Sequence, residues 1–233
     1  MSGLDGLWVL ITAGPTREHL DPVRFLSNPS SGRMGYALAE EAAARGAQVV
    51  LVSGPTALAD PVGVQVERVT SAEEMMAACR RRFADCEVLV AVAAVADLRP
   101  AKRHAEKRKK EQIGLTLELE RTPDIVATLA AEKDGRFVVG FAAETADLLA
   151  SAAAKLERKR LDLIVANDVG DPAVGFASTD NRVVILAPDG RRVRLGPAPK
   201  REIARGIWDT VAERLEPRHS AGSRRRVGEP PRR

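Results

Sequence analysis

Apolar and polar positions alternate along this chain in two periods, and the switches between them mark its elements. Val9-Leu10-Ile11-Thr12 is a short unbroken apolar run, which predicts a buried strand. A long polar loop of Gly, Pro, Ser and Asn follows, and then a helical pattern from about Met34 to Arg45, stopped at Gly46. Val49–Val52 reads as a second strand. After a loop carrying Gly54, Pro55, Pro61 and Gly63, Val64–Val69 reads as a third. Ser71-Ala72-Glu73-Glu74 is a capping box that opens a helix through about Ala84. Val88–Ala94 is continuously apolar, as expected of a central parallel strand covered on both faces.

The pattern changes at Ala101–Lys110, where six bases stand against one acid. Leu115–Glu120 then alternates strictly and predicts a half-exposed strand. Thr122-Pro123 reads as an N-cap followed by a proline at the first helical position, with a helix over Asp124–Glu132. Phe137–Phe141 and Leu163–Ala166 read as buried strands. Between them lies a helix over Asp147–Arg160, with Lys155 and Lys159 one turn apart on one face. Val183–Leu186 and Val193–Leu195 flank Asp189-Gly190, a hairpin signal, and Lys200–Leu215 is a closing amphipathic helix.

This order predicts the α/β class: a Rossmann-like, three-layer, doubly wound and mainly parallel sheet with a flap and a C-terminal β-hairpin. Ligands in such sheets bind beyond the carboxyl ends of the strands. Thr12–Asn28, Ala96-Asp97, Glu144-Thr145 and Asn167-Asp168 all fall at such ends.

Composition narrows the class. A chain of 233 residues with 45% apolar positions can bury one full core. No apolar run approaches the roughly 18 residues that span a bilayer, and the N-terminus lacks the basic region of a signal peptide. Cys79 and Cys86 have no metal-ligand spacing and read as reduced structural thiols, so a cytoplasmic protein is expected. The net charge of +4 sits mostly at one end: residues 217–233 hold six arginines and one acid, +5, which leaves −1 for residues 1–216. The division expected is a folded domain over 1–216 and a disordered basic tail over 217–233.

Candidate chemistry begins in the segment Val9–Gly35. A strand, a small-residue loop and a helix N-terminus make an anion site, because free amides and the positive helix end converge there. Ser30 and Ser31 can cap that helix or donate to phosphate, and Arg33 adds a full charge. The dinucleotide fingerprint GxGxxG is missing, as is an acid at the end of the second strand, and no Walker A pattern occurs. The three histidines have no ligand spacing, so no protein-built metal site is expected, and there is no GxSxG elbow. What remains suits phosphate positioning and charge stabilisation while a substrate's own nucleophile attacks. Two rivals are a nicotinamide-dependent reductase, weakened by the missing fingerprint, and a basic RNA-binding module. The second lacks stacking residues, since only 3% of positions are aromatic.

ITAGPTREHLDPVRFLSNPSSGRMG, AAVADLRP at 93–100, EKRKK at 106–110, TPDIV at 122–126, VGFAAET at 139–145 and ANDV at 166–169 together resemble phosphopantothenoylcysteine synthetases of the bacterial type, over roughly residues 8–215. The resemblance implies a ligase of coenzyme A biosynthesis that joins 4′-phosphopantothenate to L-cysteine through an acyl-cytidylate made from CTP, with Mg2+ accompanying the nucleotide. It implies a homodimer, with Leu115–Glu120 and the hairpin as candidate interface. A flavin-dependent decarboxylase, often fused in this family, is not in this sequence, which leaves two readings, a free-standing synthetase with a separate decarboxylase as possible partner or an excised half of a bifunctional protein; neither membrane nor nucleic acid is expected as a partner.

Residue by residue, the resemblance assigns Asn28 to the acyl-cytidylate step, its amide donating to the acyl oxygen, and Lys107 to a flap that reaches the triphosphate. It places Gly14, Ser30, Ser31, Gly32, Ala91, Val92, Ala93, Asp97, Pro123, Asp124, Ile125, Val126, Phe141, Lys155 and Lys159 around the nucleotide. It places Arg24, Ala94 and Asn167, with Asn28, around the acid substrate. Arg33 stands where the family usually has lysine, and the flap reads Lys107-Arg108-Lys109-Lys110 in place of KIKK.

Overall fold

The computed structural model describes residues 3–109, 114, 116–144, 147–168 and 180–222. Its chain begins with β1 (Trp8–Ala13), a small hairpin of β2 (Arg17–His19) and β3 (Phe25–Ser27), and helix α1 (Arg33–Ala44). Then come β4 (Gln48–Ser53), β5 (Val64–Arg68), α2 (Ala72–Phe83) and β6 (Val88–Ala91). A second small ribbon pairs β7 (Leu98–Pro100) with β8 (Leu119–Arg121). The second half holds α3 (Ile125–Ala131), β9 (Phe137–Glu144), α4 (Leu148–Arg158), β10 (Leu163–Asp168), β11 (Asp180–Leu186), β12 (Arg192–Pro199) and α5 (Lys200–Gly222).

The main sheet runs β12-β11-β10-β9-β6-β1-β4-β5. From β5 to β10 every pairing is parallel, and β11 and β12 add an antiparallel edge. In order of appearance the six parallel strands lie 3-2-1-4-5-6, the doubly wound dinucleotide-fold order. The order reverses between β1 and β6, so a crevice opens above their carboxyl ends.

The strict alternation of a strand's side chains sorts the core into two halves. Val9, Ile11, Val49, Leu51, Val88, Val90, Leu163 and Val165 point to one face and pack under α1 and α5. Leu10, Val50, Val52, Leu89, Val138 and Ile164 point to the other, under α2, α3 and α4. Buried Trp208 of α5 donates its indole N–H to the Leu38 carbonyl of α1 at 2.9 Å, fixing the two helices of the first face to each other. Half of the capping box forms as read, Ser71 Oγ accepting from Glu74 N at 3.2 Å; the Glu74 carboxylate accepts from the Thr70 amide at 2.6 Å, one residue before the cap. Cys79 and Cys86 are free and buried in the second face, and burial pushes both thiols up to about 12.

Four local readings are corrected. The α3 cap is Asp124, whose carboxylate accepts from Ala127 N at 3.0 Å, while the Thr122 hydroxyl donates to the Ala96 carbonyl. Expected strand Val88–Ala94 is regular only to Ala91, because the chain then turns to meet the β1 loop. Of Leu115–Glu120, Leu115 lies outside the described residues. Residues 116–120 are exposed on every position, and only Leu119–Arg121 pairs as a strand, so alternation there does not mark a buried face in one chain. Helix α5 continues past Glu216 to Gly222, where a tail was expected, and residues 223–233 lie outside the described residues.

Candidate active site

The crevice above β1 and β6 is a cavity of about 590 Å³. Thr12, the last buried polar residue of β1, shapes it: its hydroxyl oxygen accepts from the amides of both Val92 and Ala93 at 3.1 Å. Those two bonds bend the chain away from β6 and present the backbone of residues 91–95 to the cavity. The Ala94 amide in turn donates to the Gly14 carbonyl at 2.9 Å. Gly14 sits at φ +73°, and a Cβ there would lie 2.9 Å from the Thr56 methyl, so a side chain would be both strained and obstructed.

Opposite this wall stands the first turn of α1. Its N-cap is Gly32, at φ 79°, and no side chain caps it. Ser30 Oγ accepts from the Gly32 amide at 3.3 Å, one residue short of the capping role expected of it. The amides of a helix's first turn have no partner within the helix, and Arg33, Met34 and Gly35 all border the cavity. Gly35 lets α1 approach: a Cβ would come within 2.5 Å of the Ala13 Cβ. Third, Lys155 and Lys159 enter from the end of α4. Lys159 pairs with Asp124 at 2.8 Å. Burial pushes the Asp124 carboxyl up, but Lys159 and the α3 amide outweigh this and leave it below the ordinary carboxylate range.

The structure therefore gathers Gly14, Asn28, Ser30, Ser31, Gly32, Ala91, Val92, Ala93, Ala94, Asp97, Pro123, Asp124, Ile125, Val126, Phe141, Lys155, Lys159 and Asn167 around one cavity. Two expected site residues are elsewhere. Lys107 is exposed and outside the cavity lining. Arg24 is tied to buried Asp21 and donates to the Arg108 carbonyl at 3.0 Å, so it anchors the base of the flap rather than lining the cavity. Lys110 and Thr145 lie outside the described residues.

Asn28 is in place: its Nδ2 donates to the carbonyls of Ala94 and Val95 at 3.1 Å each. In this arrangement it holds the 94–95 backbone. Sequence reasoning missed Lys200 and Asn181, which line the cavity from the far edge of the sheet. No motif announces them; Lys200 is the first residue of a helix that follows the hairpin, and only the hairpin's return brings it to α1.

Electrically the lining is positive: Arg33, Arg121, Lys155, Lys159 and Lys200 face Asp97 and Asp124. Neither cysteine borders it, and no group of three or more His, Cys, Asp or Glu able to hold a metal occurs among the described residues. No helix among them is long and apolar enough to cross a membrane.

Comparison with known proteins is consistent with this geometry. The profile of the DNA/pantothenate metabolism flavoprotein C-terminal domain matches residues 4–215. The coenzyme A biosynthesis bifunctional protein CoaBC of Vibrio vulnificus strain YJ016 is 48% identical over 187 residues, 79% of this chain and 47% of that protein. CoaBC of Bacillus subtilis strain 168 is 45% identical over 210 residues, 90% of this chain and 52% of that protein. The chain thus spans about half the length of the curated relatives it matches. A crystal structure of the C-terminal domain of a CoaBC protein superimposes with a TM-score of 0.80 at 42% identity, covering 93% of this chain and 99% of that one.

Proposed function

The chain belongs to the family of the DNA/pantothenate metabolism flavoprotein C-terminal domain, and from that premise we propose that it is a phosphopantothenate–cysteine ligase that uses CTP. The observation that carries this reading is the charge of the cavity: five cations against two carboxylates, beside an uncapped helix N-terminus at the topological switch point. Such a site fits two polyanions at once, a nucleoside triphosphate and a phosphorylated acid.

In the proposed reaction a carboxylate oxygen of 4′-phosphopantothenate attacks the α-phosphorus of CTP, and the bond to pyrophosphate breaks. The resulting acyl-cytidylate is attacked at its carbonyl by the amine of L-cysteine. CMP leaves, the amine gives up its proton, and an amide remains. The chain's part is to position and to stabilise charge. The backbone of 91–93 and of Pro123–Val126 offers hydrogen-bonding edges to a base, and Phe141 supplies an apolar wall beside it. Asp97, exposed at the cavity mouth, is able to accept from a ribose hydroxyl. Lys155 and Lys159 supply charge to the phosphates, Lys159 by exchanging Asp124 for the ligand.

Mg2+ fits as a companion of the triphosphate: the described residues build no cage of their own for it, and Asp97 and Asp124 are carboxylates of the cavity lining. Lys107 would meet the triphosphate when the flap, held at its base by Asp21 and Arg24, folds over the site of either protomer of a homodimer. The surface that suits dimerisation carries Val23, Phe25, Leu98, Leu117 and Leu119, exposed apolar residues on and beside the two small ribbons. Phosphopantothenoylcysteine decarboxylase is proposed as the protein that takes the product.

Steady-state pyrophosphate release with each nucleotide tests the assignment. CTP should support turnover at least about tenfold better than ATP, a ratio within reach of one or two lost hydrogen bonds to the base. Equal turnover with the two nucleotides would remove the assigned base recognition.

A further inference from the structure

Beyond Ala91 the chain leaves the regular strand, and side chains and loops take over its backbone groups. Thr12 accepts from the amides of Val92 and Ala93, and the Gly14 carbonyl from that of Ala94. Asn28 donates to the carbonyls of Ala94 and Val95. Ala96 comes next, and two threonines from different loops meet on it. The hydroxyl oxygen of Thr16 accepts from the Ala96 amide at 3.0 Å, and the Thr122 hydroxyl donates to the Ala96 carbonyl.

Thr16 lies on the loop that leads to Asn28. It is fully buried, and its carbonyl accepts at 2.7 Å from the hydroxyl of Ser27, the residue before Asn28. Thr122 lies on the loop that leads into Pro123–Val126, and its amide donates to the Asp97 carbonyl at 3.0 Å. Ala96 thus links the side of the cavity that carries Asn28 to the side that carries Asp97 and Pro123–Val126. The sequence offers Thr122 as a helix cap, but Asp124 takes that role and leaves the threonine hydroxyl to Ala96.

Ala96 is buried, so an amide or carbonyl stripped of its partner there is costly, and the chain relieves the cost by shifting. A shift at Ala96 passes to Asp97, its neighbour, and to the loop that Thr122 opens. On the other side it is opposed by the ties of Asn28 to Ala94 and Val95.

We propose that Thr16 and Thr122 are positioning residues for the nucleotide: by holding Ala96 from two loops they set Asp97 and the Pro123–Val126 backbone in register with Asn28. This role rests on the ligase reading, in which Asp97 meets a ribose and Pro123–Val126 reads a base. Each threonine acts through the backbone it holds. Their loss should therefore degrade nucleotide choice and spare the affinity for the acid.

Steady-state kinetics with CTP and with ATP test this on the full chain carrying Thr122→Val, Thr122→Ser, Thr16→Val or both valines. Valine keeps the branched shape and removes the hydroxyl, whereas serine keeps the hydroxyl. Thr122 is half-buried, so Thr122→Val should melt close to the native temperature. It should raise the KM for CTP and lower the ratio of kcat/KM for CTP over ATP by at least about threefold, the size of one net hydrogen bond. The KM for 4′-phosphopantothenate should stay within about twofold of native, a split that a general loss of stability would not produce. Thr122→Ser should restore the nucleotide ratio. Thr16→Val should lower it too, and the double valine variant should be no worse than the more severe single one, because a link in series is broken only once. Should Thr16→Val fail to fold, the Thr122 pair decides alone. A native ratio in Thr122→Val, a serine variant as poor as the valine one, or additive losses in the double variant would overturn the positioning role while the ligase reading stands. A native chain that turns over CTP and ATP equally would remove the base recognition, and the positioning role with it.

Discussion

Asn28 holds the backbone at Ala94 and Val95 through its side-chain amide, so the role proposed for it in turnover passes through an exchange of partners or through the carbonyls it positions. Either way an acceptor-only side chain is worse than none. Asn28→Ala should lower kcat by about 10²–10³, the usual effect of removing one donor from a charge-stabilising site. It should leave the CTP affinity within a few-fold. Asn28→Asp should be at least as slow, because carboxylate oxygens would face two carbonyls. Steady-state kinetics of the pair decide it, and an aspartate variant faster than the alanine one would show that the donated hydrogens do not matter. The sequence exposes Asn28 and the glycine–serine loop through their motif. It hides the Asn28 partners, Thr12's double acceptance and Lys200, because each depends on a contact between segments 66 or more residues apart.

At the scale of elements, the turn at residues 20–24 and the flap base form a clamp. Buried Asp21 accepts from the amides of Val23 and Arg24 at 2.9 Å, from Arg24 Nε at 3.0 Å and from the Arg108 amide at 3.3 Å. The His104 amide donates to the Leu20 carbonyl at 2.8 Å beside it. Arg24 above all, and then these amides, hold the Asp21 carboxyl far below the ordinary carboxylate range, although burial acts the other way. A depressed folded pKa means that the clamp is at full strength above the unfolded value of about 3.9 and weakens as pH falls below it. Hydrogen exchange at His104 and Arg108 should therefore accelerate, relative to the intrinsic rate, between pH 5 and pH 3. In Asp21→Asn it should be fast already at pH 7 and lose that extra dependence. The same pH profile in both proteins would show that Asp21 does not hold the flap. Apolar periodicity found the long elements because tertiary burial enforces it on each strand. It misread residues 116–120 because an alternating pattern there meets solvent in the single chain, and it misplaced the α3 cap because Thr122 and Asp124 are both good caps and only the fold chooses between them.

Over the whole molecule, two basic segments of equal charge have different attachments. Lys107 lies on a segment clamped at Asp21 and Arg24, whereas the basic C-terminal residues follow Leu215, a side chain that α5 buries in the first core face. A positioned cation acts at one place; a loosely attached one adds a screened attraction. Ending the chain at Glu216 should leave stability and turnover nearly unchanged, although the net charge moves from +4 to −1. Lys107→Ala should sharply reduce CTP-dependent turnover at moderate salt. A truncation that abolishes turnover while Lys107→Ala leaves it intact would move the triphosphate contact from the flap to the C-terminal segment.

The doubly wound order itself assigns no chemistry, since many unrelated reactions share it. The assignment stands on the positive crevice and on what it activates, so the products decide it. Purified chain incubated with CTP, Mg2+ and 4′-phosphopantothenate, without cysteine, should accumulate an acyl-cytidylate and release pyrophosphate, both visible by mass spectrometry and phosphorus resonance. Adding L-cysteine should convert the adduct into phosphopantothenoylcysteine with one CMP per amide. Formation of CDP and inorganic phosphate, or amide formation without CTP, would contradict attack at the α-phosphorus and the reading of the cavity built on it.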